Sequence, residues 1–533
     1  MCSETFSCRT RSAAPRLWAS AAAVLTLAIA CHSEPTSPPE LPRDLTIKGL
    51  VKQVVDYNES IQLRLLEYEV SRKKINAEKG IFEPELVSNY ERQENDRRNT
   101  AEQEKSLQSS FFFEKNNVYS GGLESLAATG GRLRLGYTLR DLRNNVNRTL
   151  FSTNYADLRN HEYQTFFGLS LTQPLLRNGG VAVTMAGIRL AAISSDIAFQ
   201  EYRRQLMSVV STAEASYWNL YMAQKQVSFF QESVTLAEGI LKDNRVRFQT
   251  GKGSDLEVLE AEAGVALRKS RLAQVQEKLI EAANRLRALY ADARFATNNL
   301  VLAVDEPEAK EVPVDAFESW RSAYETNPDY LIQQKKFGIE NVRLGYAKNQ
   351  RLIQFDLKGA YGLNGLGDSP DSSWADIETR GFPSWSVGVE IHIPVLGGIK
   401  TRNELDAARI RLKQAALGLK DIEAQLVTAL NTTMHKLRSS RESIGNYETV
   451  VNFNQNLLQT QLARLEVGKV ESRKVLEVEA DLLEARNALA EAKVLYQQAL
   501  LELELIRGSI LQSRALEVDP RDLKARTEAL LRR

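Results

Sequence analysis

An internal duplication constrains this chain more than any other feature. Arg247-Phe248-Gln249-Thr250-Gly251-Lys252 leads, after four residues, to Glu257-Val258-Leu259-Glu260-Ala261-Glu262. Arg464-Leu465-Glu466-Val467-Gly468-Lys469 leads, after four residues, to Lys474-Val475-Leu476-Glu477-Val478-Glu479. Upstream, the stretch from Gly168 through Pro174 to Leu176 matches that from Gly388 through Pro394 to Leu396, and a glycine pair follows each, Gly179-Gly180 and Gly397-Gly398. A helical run from Asn58 resembles one from Asn327. Three matches in one order mean two copies of one structural unit. Each copy reads as helix, strands, long helix, Gly-Lys turn, helix.

The helices are rods. From Val475 a three-four spacing picks out Val475, Val478, Leu482, Ala485, Leu489, Ala492, Tyr496, Ala499 and Leu503, all apolar. That is a coiled-coil seam sustained over four heptads. The preceding helix supplies Ile444, Tyr447, Val451, Leu458, Leu462 and Leu465, with Asn454 as the polar break. The short turn at Gly468 folds the two back antiparallel, and Gly251 does the same in the first copy. Thr401 to about Glu466 contains no proline, enough for about 100 Å of helix at 1.5 Å per residue.

Between the rods the period changes from 3.6 to 2. Leu133, Leu135, Tyr137 and Leu139 alternate with Arg132, Arg134, Gly136, Thr138 and Arg140. Phe167, Leu169 and Leu171 alternate with Gly168, Ser170 and Thr172, and Phe355, Leu357, Tyr361 and Leu363 share a face interrupted by Gly359. Trp385, Val387, Val389, Ile391 and Ile393 alternate with Ser386, Gly388, Glu390 and His392. Segments of about 9 to 11 residues with one apolar face have the pattern of membrane β-strands. Tyr361, Phe382 and Trp385 are candidates for an aromatic girdle at the membrane surface. One chain holds too few strands to close a barrel, and lipid tolerates no open edge. Spanning strands therefore require a ring of identical copies. The first repeat carries a long excess between Tyr90 and Phe166, including Phe111-Phe112-Phe113. It is either an elongated extracellular hairpin or an added strand pair.

Other function classes fit poorly. The net charge of +1 offers no electrostatic attraction to nucleic acid. His32, His161, His392 and His435 lack metal spacing, and there is no phosphate-binding loop or Gly-x-Ser-x-Gly elbow, so neither an enzyme nor a cofactor is expected. A periplasmic coiled coil without a barrel is the competing reading, and the strands argue against it.

The N-terminus reads as an export signal. Arg9, Arg11 and Arg16 precede an apolar run, Ala19 to Ala30, too short to span a membrane. Small residues before Cys31 resemble a lipobox, with Ala28 where that pattern has leucine, so Cys31 is the expected acylation site; a plain signal peptide cut near Ala30 is the other reading. The expected organisation is a signal peptide over 1–30, a Pro-rich tether over 31–45, a first repeat over 46–290, a linker over 291–316, a second repeat over 317–512 and a tail over 513–533.

The duplicated helix–strand–helix order, the strand ending Gln173-Pro174-Leu175-Leu176 and the paired Arg-x-x-x-Gly turns together resemble the TolC-like outer-membrane efflux protein family over about residues 46–512. The resemblance implies a mixed α and β membrane protein, a homotrimer sharing a 12-stranded β-barrel above a periplasmic α-barrel. It also implies a passive exit duct for efflux or type I secretion in the outer membrane, coupled to a periplasmic adaptor and an inner-membrane pump. The linker would form an equatorial belt. Arg247, Gly251, Lys252, Arg464, Gly468 and Lys469 match the family's adaptor-contact tips. Related channels carry acidic residues at their closed periplasmic aperture about six and nine positions after the second tip glycine; here these are Lys474 and Glu477.

Overall fold

Asn58 and Asn327 set the frame of the two repeats. Each caps a helix: Asn58 Oδ1 accepts from the Ser60 and Ile61 amides, and Asn327 Oδ1 from those of Asp329 and Tyr330. A side-chain oxygen at this position satisfies helix donors that have no partner within the helix. The other end of each amide does a second job. Asn58 Nδ2 donates to the Leu289 carbonyl (2.8 Å) and Asn327 Nδ2 to the Ile506 carbonyl (3.0 Å). Each asparagine thus ties the start of the helix it caps to the end of the last long helix of its repeat.

The computed structural model describes residues 44–107, 109–144, 162–290, 301–309, 313, 315–395 and 397–532. The first repeat runs β1 (Asp44–Leu45), α1 (Ile47–Tyr57), α2 (Glu59–Lys79), β2 (Glu85–Arg98), α3 (Ala101–Leu107), β3 (Phe111–Leu126), β4 (Arg132–Leu142), β5 (Glu162–Pro174), α4 (Val181–Thr184), α5 (Ala186–Gln249) and α6 (Asp255–Leu289). After β6 (Leu302–Ala303), the second runs α7 (Ala316–Thr326), α8 (Pro328–Gln350), β7 (Gln354–Gly367), α9 (Pro370–Thr379), β8 (Pro383–His392), α10 (Ile399–Glu466) and α11 (Ser472–Arg507), followed by α12 (Ile510–Ser513) and α13 (Pro520–Arg532).

The rods fold as the seams require. α10 has 68 residues, about 100 Å, and packs along α11, as α5 packs along α6. Of the α11 seam, all but Leu489 are buried and Leu489 is partly so. On α10, Ile444, Leu458 and Leu465 are buried, and Val451 and Leu462 pack against that core. Tyr447 departs from the seam and is 38% exposed. Midway along the rods the largest core gathers Tyr202, Leu206, Tyr217, Leu220, Leu286 and Tyr290 against Leu45, Leu50 and Val54 of the first strand and helix. There β1 pairs in parallel with β6. The buried Tyr217 hydroxyl accepts from the Val304 and Asp305 amides and lies 3.0 Å from the Leu45 carbonyl. Arg514 joins in from beyond α11, chelating the buried Glu214 carboxylate at 2.7 and 2.9 Å.

The strands form one antiparallel meander in the order β2-β3-β4-β5-β7-β8. All four strands read from alternation are present. The excess in the first repeat supplies a strand pair: β3 and β4 lie in the sheet between β2 and β5. Six strands per chain exceed the four that a 12-stranded trimer needs. The alternation of Leu133 to Leu139 belongs to this added pair. One part of the excess, 145–161, lies outside the described residues.

Register explains the glycines. Gly122, Gly136, Gly168 and Gly362 are successive cross-strand partners, forming one row across four strands. The Phe166 ring lies over Gly168 and Gly362, within 2.8 Å of where either Cβ would stand. Side chains in that row would displace the ring, and glycine rows let a sheet bend sharply.

Candidate functional site

The sheet has two chemically distinct faces. Leu86, Leu123, Leu135, Leu169, Tyr361 and Trp385 are successive cross-strand partners, so one apolar row crosses all six strands. Leu133, Leu171, Val387, Val389 and Ile391 extend that face. It is bare within the chain: Leu86 is 79% and Trp385 75% exposed. The opposite face carries Arg132, Arg134, Arg140, Lys358, Glu390 and His392. Arg134 pairs with Glu124 at 3.4 Å, and Lys358 pairs with Glu390. Trp385 and Tyr361 lie side by side on the apolar face. Phe382 does not join them; it lines a cleft with Thr138, Arg140, Gln164 and Phe166, mostly of the polar face. It precedes the first residue of β8, so the alternation does not reach it. Trp374 of α9 packs its ring against Tyr137 and Phe167 and covers the outer end of the apolar face. Strands β2 and β8 are paired on one side only within the chain. Such a sheet is stable only where lipid covers one face, water wets the other and copies close the edges.

At the far end of the rods, the two turns have the same cap. Gly251 and Gly468 have φ of +69° and +71°, the left-handed region that glycine enters without penalty. The Lys252 amide returns to the Arg247 carbonyl and the Lys469 amide to the Arg464 carbonyl, both at 2.9 Å, as in a Schellman cap. The space beside both glycines is open. Lys252, Lys469 and Arg464 are exposed, as are Val246, Phe248 and Val467. Arg247 differs: its guanidinium donates to the Leu465 carbonyl at 2.6 Å, capping the last turn of α10. A cation there is favoured by the helix dipole.

Above the turns, Arg268 of α6 reaches across to α11. It donates to Glu479 at 2.5 Å, to the Leu476 carbonyl and to Ser233 of α5, with both charged side chains almost wholly buried. The pair borders a cleft of about 530 Å³ that Glu257, Glu260, Arg271, Arg473 and Glu477 also line. Glu477 sits between two cations of its own helix, Lys474 at 3.1 Å and Arg473 at 3.3 Å. The Lys474 hydrogen bond, then Arg473, holds its carboxyl below the usual carboxylate range. The sequence marks Glu477 and Lys474 by their distance from Gly468. It gives no sign of Arg268–Glu479, because Ala485 stands where the second repeat would repeat Arg268. Cys31 lies outside the described residues, as does most of the leader and tether. No helix among the described residues is long and apolar enough to cross a membrane.

Residues 127–291 and 345–509 match the family described as outer membrane efflux protein, one match per repeat. The chain belongs to that family. As an outer membrane efflux protein it is an outer-membrane channel with a periplasmic helical part, and the family is one of trimeric channels rather than enzymes. It is 20% identical to the alkaline protease secretion protein AprF of Pseudomonas aeruginosa over 341 residues, 64% of this chain and 69% of that one. It is 22% identical to the outer membrane protein TolC of Escherichia coli over 360 residues, 65% of this chain and 70% of that one. Its fold matches the CmeC outer membrane channel of Campylobacter jejuni with a TM-score of 0.60 at 14% identity, over 90% of this chain and 89% of that one.

Proposed function

We propose that three copies of this chain form a passive exit duct, and that a periplasmic adaptor docks on the paired tips and joins it to an inner-membrane pump. The observation that carries this reading is the single meander with one apolar face, one charged face and two free edges, standing on paired rods of about 100 Å. The charged face lines a water-filled passage, and the apolar face meets lipid. Energy for export comes from the pump.

The tips suit an adaptor because they present exposed cations, Lys252 at one and Arg464 with Lys469 at the other, beside uncovered apolar side chains, Phe248 and Val467. Helical hairpins of this kind receive a partner's helices in the groove between them. Lys474, Glu477 and Arg473 ring the narrow periplasmic end, where charge acts on passing ions most strongly. Acylation of Cys31 fixes each copy to the outer-membrane lipid through the tether. A secreted protein or a small toxic compound is the cargo class; the pump selects between them.

The charge reversals Lys252→Glu and Lys469→Glu, made together, separate docking from conduction. The double variant forms trimers, conducts in bilayers and fails to export in cells. Undiminished export would remove the tips from the docking surface.

A further inference from the structure

We infer that this chain builds an eighteen-stranded barrel, six strands from each of three copies, closed where β8 of one copy pairs with β2 of the next. The inference rests on the reading of the chain as a trimeric outer-membrane duct and adds the size of its passage and the edges that seal it.

The first observation is the place of the added pair. β3 and β4 are not a flap beside the sheet. β3 holds β2 through a continuous ladder from Glu85↔Glu124 to Arg98↔Phe111, and β4 holds β5 from Arg132↔Thr172 to Leu142↔Glu162. Removing the pair from the membrane would break both ladders and strand β2.

The second is chemical continuity. The all-apolar row from Leu86 to Trp385 passes through Leu123 of β3 and Leu135 of β4. On the opposite face the adjacent row, Val87, Gly122, Gly136, Gly168, Gly362 and Ser384, is also unbroken. The added strands present the same apolar face as β2, β5, β7 and β8. The outer halves of β2 and its partner β3 change character: beyond the Tyr90–Tyr119 ring pair, 5.1 Å apart, Glu91 to Arg98 of β2 put charge on both faces. The hairpin therefore rises out of the lipid above an aromatic boundary.

The third is perimeter. α2, α5, α8 and α10 lead into or out of β2, β5, β7 and β8, and they pack side by side in that order. Four rods at ~9 Å centre to centre cover ~36 Å of a ring. Six strands ~4.8 Å apart and tilted by ~40° cover ~38 Å, where four cover only ~25 Å. The six-stranded sheet fits the helical tube beneath it without a step.

The edges then close. In a six-stranded meander β2 and β8 run in opposite directions, so β8 meets the next β2 antiparallel, and three copies leave no free edge. At similar tilt the barrel is about half again as wide as one of twelve strands. The outer-membrane segment then admits wider cargo than a twelve-stranded barrel would.

The test uses nitroxide labels on Leu123→Cys and Leu135→Cys, with Leu169→Cys and Val387→Cys as references, each read against the equally labelled parent chain. Full-length trimers in liposomes are exposed to oxygen, which partitions into lipid, and to a water-soluble nickel chelate. None of the four leucine or valine side chains is packed inside the chain, and unheated gels select folded trimers. Oxygen relaxing all four labels more than nickel supports the inference, as does a count of eighteen strands in the trimer by electron cryo-microscopy. Lipid contact at 169 and 387 with water contact at 123 and 135, or a count of twelve strands, overturns it and leaves the duct intact. Water contact at all four sites overturns both.

Discussion

Arg247 of the first hairpin caps the Leu465 carbonyl of the second at 2.6 Å. The duplication carries this relationship across the molecule. At the offset of the tip motifs, Arg464 corresponds to Arg247 and Phe248 to Leu465. In a ring where the two hairpins alternate, Arg464 therefore faces the Phe248 carbonyl of the neighbouring copy. A second trace points the same way. Asn244 Oδ1 accepts from Ser472 across the hairpins at 2.7 Å, whereas Oε1 of Gln461, its counterpart, is buried with no partner among the described residues.

Arg464→Ala is accordingly expected to weaken contact between copies and Arg247→Ala contact within one. A cation capping a helix end contributes up to ~1 kcal/mol. The temperature at which the trimer dissociates on gels falls for Arg464→Ala and holds for Arg247→Ala. Equal shifts would contradict the assignment.

Arg268→Ala leaves Glu479 buried without its partner. Losing one member of a buried pair typically costs about 3–5 kcal/mol, whereas replacing both with apolar residues is near neutral. Thermal unfolding followed by helical circular dichroism should show a large fall for Arg268→Ala and a small one for Arg268→Met with Glu479→Leu. A small effect of the single change would mean that water reaches the pair.

Much of this was legible in the sequence and some was not, for physical reasons. The rods and their reversal could be read because Val475 to Leu503 keep one period and Gly251 and Gly468 punctuate it. Strands β4, β5, β7 and β8 could be read because each alternates. β2 could not, since Glu91 to Arg98 are polar on both faces and only Leu86 to Tyr90 meet lipid. The place of β3 was hidden with it. At the site, the repeated Gly-Lys turns located the two hairpin ends, and the family resemblance pointed to Lys474 and Glu477 beside the second. Arg268–Glu479 and Arg247–Leu465 join different repeats, and side chains meeting across more than two hundred residues leave no local pattern.

Glu477 gives a pH dependence. The hydrogen bond from Lys474, then Arg473, keeps its carboxyl below the usual carboxylate range. A group with a depressed value keeps its charge as the pH falls past that of a free carboxyl and loses it only lower. Ion selectivity in bilayers should hold steady from neutral pH to about 4.5 as far as Glu477 is concerned, and turn more anion-selective below. Glu477→Ala should show that selectivity at neutral pH. A variant with the parent's selectivity would remove Glu477 from the aperture.

Tyr217→Phe tests the middle of the rods. It leaves the partly buried Asp305 amide without its hydroxyl acceptor and the Val304 amide with the Leu45 carbonyl alone, a loss of about 1 kcal/mol. Burial raises the Tyr217 phenol from 10.0 to about 12. The neutral form is the one the fold holds, so its contribution is complete below 10.0 and disappears as the pH rises through about 12. Melting curves of parent and variant should differ at neutral pH and converge in strong alkali; parallel curves would mean the hydroxyl holds nothing.

The central claim is that sheets open in one copy become a water-filled passage in three. Planar bilayers given purified trimer and purified monomer test it most directly. The trimer is expected to insert and carry a steady ohmic current, and the monomer none. Silent bilayers with intact trimers, or equal current from single copies, would contradict it.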